Sequence, residues 1–116
     1  DDTIAPPFIV LDALHGVVML MHIVRSFFLT PRFTAFAQKS AEENGIKVQM
    51  AVRSGGGNNG AYIISANGGT PVIVAGIPVR YIHTFNCIAA VEDFNSNVDL
   101  GVALCKSLTE DIIKGF

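Results

Sequence analysis

The stretch "TPVIVAGIP", residues 70–78, decides the fold class, because its interior is apolar at every position. A strand without alternation of apolar and polar residues is typical of a parallel sheet that is covered on both faces. Elsewhere in the chain, patterns typical of strands alternate with patterns typical of helices, which favours an α/β fold. The sequence therefore predicts an α/β protein with a mainly parallel sheet flanked by helices.

Three segments upstream of this stretch are also apolar. "PFIVLD" (7–12) and "IKVQMAV" (46–52) are each predicted to be a strand. Residues 16–29 fit a buried helix or a buried strand equally well, since periodicity does not separate the two for a short apolar run.

Two helices are predicted with clearer signals. Residues 30–45 offer Thr30 as a cap, Pro31 at the first helical position and Gly45 as a terminator. Near the C-terminus, apolar residues recur at three- and four-residue steps and predict one long amphipathic helix, with Glu92 and Asp93 in its first turn. The apolar positions are Val91, Phe94, Val98, Val102, Cys105, Leu108 and Ile112.

Composition excludes several classes of protein. The chain has 116 residues, enough for one domain, and is 50% hydrophobic but only 16% charged, against about 25% charged in typical domains. Further protein is therefore expected to cover it, as an oligomer or as a missing segment. The net charge of −2 and the lack of a basic block argue against binding to nucleic acid.

Targeting signals are equally sparse. The most apolar stretch, residues 13–24, is shorter than the roughly 20 residues that span a membrane, so no membrane partner is predicted. The start "DDTIAPP" lacks the features of a signal peptide and is interpreted as a point within a longer protein. Two cysteines make no disulfide framework, and Cys105 is expected to be a small buried hydrophobe, so a cytoplasmic location is predicted.

A glycine-rich turn follows the second predicted strand. Gly55, Gly57 and Gly60 satisfy G-x-G-x-x-G, but no Asp or Glu lies between Glu43 and Glu92 to hold a ribose. The turn also lacks the lysine of a P-loop, so a nucleotide site is not favoured. Two interpretations stay open: a turn whose backbone N–H groups meet a ligand, or a turn that simply needs positive φ.

His83 comes five residues after Pro78, at the end of the apolar stretch. Ligands of open α/β sheets gather beyond the carboxyl ends of the strands, and imidazole is a common zinc ligand. Cys87, four residues later, is a weak hint of a second ligand. The alternative is a purely structural histidine, which is how His15 and His22 are interpreted, as core or interface residues.

The segment "RSGGGNNGAYIISANGGTPVIVAGIPVRYIHTFNCIAAVEDFNSNVDL" (53–100) resembles the C-terminal end of the dinuclear zinc aminopeptidases of the tetrahedral type, also called the glutamyl aminopeptidase or cellulase-M-like family. Their pattern is a Gly-Gly-Thr-Asp or Gly-Gly-Thr-Asn turn, a helix, an apolar strand ending in Gly-x-Pro, and Arg-Tyr-Ile-His-Ser. Upstream, residues 6–12 and 30–49 resemble the family's Gly-Pro-Val-Ile strand and Pro-Lys-Leu helix. The departures are Asn58-Asn59 in the turn, Gly60-Ala61 in place of the common Ala-Gly, Thr84 in place of serine, and a segment 13–29 that is longer and more apolar than the family's usual connection.

The resemblance implies that residues 1–116 are the C-terminal portion of a zinc-peptidase catalytic domain, in which His83 is the last ligand of a site for two divalent ions, zinc or cobalt. Arg80 and Tyr81 would support the turn of His83. The implied function is hydrolysis of N-terminal residues from peptide substrates, with assembly into homo-oligomers. The residues implied to lie beside the substrate are Gly56, Gly57, Asn58 and Asn59.

The family's other ligands and its glutamate base lie upstream of the matched region. Because zinc takes about four ligands, the isolated chain is expected to be inactive, with activity belonging to a full-length parent. The alternative is a non-catalytic relative, or an oligomer-assembly module of the same fold.

Overall fold

The computed structural model describes residues 17–23, 30–53 and 59–116. The strand predicted at 7–12, His15 and most of the glycine-rich turn lie outside these residues. The strands are β1 (Val17–Ile23), β2 (Lys47–Arg53), β3 (Ala75–Gly76), β4 (Val79–Arg80) and β5 (Ile88–Ala89). The helices are α1 (Pro31–Glu43), α2 (Gly60–Ile63), α3 (Val91–Ser107) and α4 (Glu110–Lys114), with a 3₁₀ turn at Ala66–Gly68.

The main sheet has the strand order β2-β1-β3. β1 runs parallel to β2 from the pair Val17–Lys47 to the pair Ile23–Arg53. β1 is antiparallel to β3, through the pairs Met19–Gly76 and Leu20–Ala75. Parallel pairing is thus found between β1 and β2, and residues 17–23 of the ambiguous segment form a strand. His22 lies in the strand β1 and therefore not in a helix that would place it on the same face as His15.

The prediction of a continuous strand over residues 70–78 is wrong, because the structure assigns a strand to Ala75–Gly76 alone within that segment. Among the described residues these two pair with β1, and they pair antiparallel. Proline has no N–H to donate to a sheet, and Pro71 and Pro78 bracket the segment. Between them, the N–H of Val72 donates to Thr30 Oγ1 over 3.0 Å. The Val72 carbonyl accepts from the Thr30 N–H over 3.1 Å. The backbone N–H and C=O groups of Val72 therefore bond to Thr30, directly before α1, instead of to a neighbouring strand.

Helix α1 begins and ends close to where the sequence predicted. Pro31 occupies the first turn, but the Thr30 side chain makes no capping hydrogen bond to the helix. Its hydroxyl instead accepts a hydrogen bond from the Val72 N–H. At the other end Gly45 has a φ of +68°. The N–H of Ile46 donates to the Ala41 carbonyl over 2.8 Å and that of Gly45 donates to the Glu42 carbonyl over 3.2 Å. This is a Schellman ending, which favours glycine at the left-handed position.

The core lies between α1, α3 and the sheet. Its buried members are Ala37 and Ala41 of α1 and Leu100 and Leu104 of α3, with Phe36, Ile46, Val48, Ile73 and Leu108 packed against them. The alanines let α3 approach α1 closely, so that Leu100 has no exposed surface. The C-terminus is attached to α1 by stacking of the Phe33 and Phe116 rings, whose centroids are 4.7 Å apart.

The single long helix predicted at the C-terminus is divided in two. α3 ends at Ser107, Leu108 is extended, and Thr109 begins α4 by accepting a hydrogen bond from the Ile112 N–H. Glu92 and Asp93 lie in the first turn of α3, as predicted.

The predicted apolar face of α3 points away from the core. Five of its members are exposed and are called the outward stripe from here on: Val91, Phe94, Val98, Val102 and Cys105. The core side of α3 consists instead of Asp93, Leu100 and Leu104. The expectation that Cys105 is buried is therefore wrong, because the apolar periodicity marked a side of α3 that is exposed in the described part of the chain.

Within the described ranges, the search for a helix both long and apolar enough to cross a membrane finds none.

Candidate functional site

The segment that carries the predicted site residues is a hairpin. β4 and β5 pair antiparallel through Val79–Ala89 and Arg80–Ile88, and residues 81–87 connect them. Tyr81 has a φ of +59° and His83 a φ of +64°. The left-handed region costs a residue other than glycine about 1–2 kcal/mol, and such outliers cluster at functional sites.

His83 is exposed at this turn. The Thr84 hydroxyl donates to the Tyr81 carbonyl over 2.6 Å, which closes the turn around His83. The Arg80 guanidinium carbon lies 5.7 Å from the centroid of the Tyr81 ring, within the range of a cation–π contact. The two residues predicted to support the turn thus contact each other, and both are themselves exposed.

The sequence argument placed His83 beyond the carboxyl ends of a parallel sheet, and that argument does not hold. β3 runs antiparallel to β1, and a separate two-stranded sheet, β4-β5, holds the turn. His83 is accessible because it lies in an exposed hairpin turn, not because a parallel sheet presents it. Its role as a metal ligand stays a prediction.

Of the four residues predicted to lie beside the substrate, only Asn59 is described. Gly56, Gly57 and Asn58 lie outside the described residues. Asn59 is exposed, and its carbonyl accepts hydrogen bonds from the N–H groups of Tyr62 and Ile63 over 3.1 and 3.2 Å. It thereby begins the short helix α2.

The described residues do not form a complete metal site. Across ranges 17–23, 30–53 and 59–116, no group of three or more His, Cys, Asp or Glu side chains is placed to hold an ion. Cys87, in the same turn as His83, is an exposed free cysteine. Since zinc takes about four ligands, the donor set found in these residues does not fit a bound ion by itself.

Two polar features were not predicted. Asp93 is completely buried and takes part in an interaction; its spacing of seven residues from Leu100 and eleven from Leu104 was a signal that it shares the core side of α3. A hollow of about 410 Å³ lies between the turn before β2 and the first half of α3. Its lining residues are Asn44, Gly45, Ile46, Lys47, Glu92, Asn95, Ser96 and Asp99.

Most of the chain matches a known protein family. Residues 12–100, which include β1, the glycine-rich turn and the whole β4–β5 hairpin, match the model of the M42 glutamyl aminopeptidase family. The chain belongs to this family. The resemblance seen in the sequence is therefore confirmed, and the His83 turn lies inside the matched region.

Individual relatives agree with the family match. A protein of Acetivibrio thermocellus named "Putative aminopeptidase" is 34% identical over 82 residues, which are 70% of this chain and 25% of that protein. The TET aminopeptidase of Thaumarchaeota archaeon SCGC AB-539-E09 superposes with a TM-score of 0.82 at 25% identity, over 88% of this chain and 29% of that one. PhTET1-12s, solved as a dodecamer, gives a TM-score of 0.68 at 22% identity, over 82% of this chain and 28% of that one.

The share of each relative is small. The chain spans 25% of the curated relative and 29% of the first structural neighbour. The fold of an M42 aminopeptidase segment is thus present, while about three-quarters of such a protein has no counterpart here.

Proposed function

We propose that the chain is the C-terminal portion of the catalytic domain of a metal-dependent aminopeptidase, which removes N-terminal residues from peptides. The observation that carries this proposal is the position of His83. It lies inside the region matched to the M42 family, its backbone is left-handed, and its side chain is exposed at the surface of the turn.

His83 supplies one ligand to a site for two divalent ions, zinc or cobalt. Such ions activate water and polarise the scissile carbonyl when bound. The remaining ligands and the general base come from polypeptide outside this chain. Among the described residues, no group of three or more His, Cys, Asp or Glu side chains is placed to hold an ion. The isolated chain is accordingly inactive, and activity belongs to the full-length protein.

The neighbours of His83 have positioning roles in this proposal. The left-handed backbone of Tyr81 and its hydrogen bond from Thr84 set the direction in which the turn presents the imidazole. Arg80 lies against the Tyr81 ring and limits its movement. Gly56, Gly57, Asn58 and Asn59 lie along the bound peptide, and the exposure of Asn59 supports this placement.

The same proposal includes assembly into a homo-oligomer in the cytoplasm. The exposed Tyr62 of α2, with 81% of its surface accessible, supports a further protein contact. The two cysteines are free, as is usual in a reducing compartment.

The test is His83→Ala in the full-length protein, with bound metal measured by mass spectrometry and turnover measured on an aminoacyl p-nitroanilide. Loss of a ligand should lower turnover by about 100-fold or more and reduce the bound metal, since even outer-shell changes cost about 10–100-fold. The matched control is Asn86→Ala, which alters another exposed polar residue of the same turn and should leave both quantities unchanged. Normal metal content and normal turnover in His83→Ala would refute the role.

A second candidate function is a non-catalytic assembly module of the same fold. The exposed outward stripe of α3 favours it, because exposed apolar surface of this kind marks interaction sites. Tight self-association without metal uptake by the full-length protein would support this candidate, and stoichiometric metal would contradict it.

A further inference from the structure

Asparagine is followed directly by glycine at three places in the chain, Asn44-Gly45, Asn59-Gly60 and Asn67-Gly68. In such a dipeptide the backbone nitrogen of the glycine can attack the side-chain carbonyl carbon of the asparagine. Glycine has no Cβ that would obstruct this approach. Because the dipeptide is the same at all three places, the structure around each one decides which of them reacts.

The dipeptide Asn44-Gly45 is held at both of its reacting groups. The side-chain nitrogen Nδ2 of Asn44 donates to the Ser40 carbonyl over 2.7 Å. The N–H of Gly45, whose nitrogen would be the nucleophile, donates to the Glu42 carbonyl over 3.2 Å. These bonds belong to the end of α1, so attack at Asn44 requires that the helix end opens locally.

The dipeptide Asn59-Gly60 is held by the beginning of α2. The Asn59 carbonyl accepts hydrogen bonds from the N–H groups of Tyr62 and Ile63 over 3.1 and 3.2 Å, and Gly60 is buried. Rotation about the Cα–C bond of Asn59, which would bring the Gly60 nitrogen to the side chain, turns that carbonyl away from both donors. Attack at Asn59 therefore also requires the loss of hydrogen bonds.

The dipeptide Asn67-Gly68 lies in the 3₁₀ turn Ala66–Gly68, a kind of turn whose hydrogen bonds have poorer geometry than those of an α-helix. Asn67 is left-handed, with a φ of +53°, a conformation that costs free energy in a residue other than glycine. The N–H of Gly69 and the hydroxyl of Thr70 both donate to the Ala66 carbonyl over 3.0 Å. Among the hydrogen bonds made in the described part of the chain, none ends at the Asn67 side chain or carbonyl.

We propose that Asn67 is a site of spontaneous deamidation, at which the chain modifies itself. The Gly68 nitrogen forms a bond to the side-chain carbonyl carbon of Asn67, and the side-chain amide leaves as ammonia with the proton that Gly68 loses. The product is a cyclic succinimide, and water opens it at either carbonyl to aspartate or isoaspartate. Both products place a negative charge in the turn before residues 70–78, and isoaspartate also lengthens the backbone by one methylene.

The experiment incubates the full-length protein at mildly alkaline pH and follows the three dipeptides by peptide mapping with mass spectrometry, in which isoaspartate and aspartate forms separate by retention time. In the native protein, Asn67 should be converted at least about tenfold faster than Asn44 or Asn59, because those two react only after local opening. A parallel sample unfolded in urea should convert all three at similar rates. This sample controls for differences in the neighbouring sequence.

A variant of the full-length protein isolates the chemistry. In Asn67→Gln the side chain is one methylene longer, so attack by Gly68 would have to form a larger ring, which forms far more slowly. The variant should therefore lose the conversion in this peptide, while Asn44 and Asn59 keep their rates. The readout is a covalent change in one peptide, so it does not depend on metal binding or on the proposed peptidase activity.

Two outcomes would overturn the proposal. Conversion of Asn67 in the native protein at no more than the rate of Asn44 would show that the 3₁₀ turn protects it as well as the end of α1 protects Asn44. Conversion in the urea sample with none at Asn67 in the native protein would show that the folded protein blocks the attack completely.

Discussion

Replacing Leu100 by alanine should destabilise the isolated chain far more than replacing Val98, two positions away on α3. Leu100 is completely buried and packs among Ala37, Ala41 and Leu104. Two of these neighbours are alanines, whose short side chains cannot move into the space left behind. The cost of Leu100→Ala should therefore be about 3–4 kcal/mol, within the range of about 2–5 kcal/mol for buried leucines.

The expected cost at Val98 is close to zero. Its side chain is 48% exposed, so Val98→Ala removes the equivalent of about one buried methylene, worth about 0.8 kcal/mol. Alanine recovers about 0.5 kcal/mol through its higher helix propensity. The difference of about 0.3 kcal/mol is near the limit of measurement.

Urea unfolding followed by circular dichroism at 222 nm measures both changes. With a slope near 1.5 kcal/mol/M, Leu100→Ala should lower the midpoint by about 2 M and Val98→Ala by about 0.2 M. Leu100→Met preserves the volume and should cost less than about 1.5 kcal/mol, which controls for changing the residue at all. If Val98→Ala lowered the midpoint as much as Leu100→Ala, the assignment of the two sides of α3 would be refuted.

Two further predictions concern backbone positions. Thr30→Val removes the acceptor of the hydrogen bond from the Val72 N–H and should lower the free energy of unfolding by about 1–2 kcal/mol. Thr30→Ser keeps the hydroxyl and should change the stability little. Equal decreases of the urea midpoint in the two variants would contradict this prediction. Gly45→Ala should cost about 1 kcal/mol because Gly45 has a φ of +68°. Gly101→Ala should stabilise the isolated chain by about 1 kcal/mol, because Gly101 lies in the middle of a helix and its new Cβ would meet nothing within 4 Å. If both glycine variants changed the free energy of unfolding in the same direction, the argument would be refuted.

Local signals in the sequence predicted the local structure well. Pro31 and Gly45 marked the ends of α1 because a missing N–H and a left-handed φ depend on single residues. The acids Glu92 and Asp93 marked the start of α3 for an equally local reason, the field of the helix N-terminus.

Non-local pairing is where the prediction from sequence failed. The apolar stretch 70–78 was compatible with a buried strand, but its backbone groups at Val72 bind Thr30, 42 residues away. Nothing in the apolar pattern distinguishes a strand that pairs along its whole length from an extended segment that pairs at two residues. The direction of β3 against β1 was hidden for the same reason.

The apolar spacing along α3 is real, but the side of the helix that it marks is not the side that faces the core. The spacing of Val91, Phe94 and Val98 correctly indicates an apolar side of α3, but periodicity does not say whether that side faces the core. The core is instead reached by Leu100 and Leu104, and the third buried residue of α3 is Asp93. The apolar periodicity of α3 therefore marked one face of the helix correctly but not the surroundings of that face. The same separation holds for His83, whose exposed position follows from the β4–β5 hairpin and not from the apolar stretch before it.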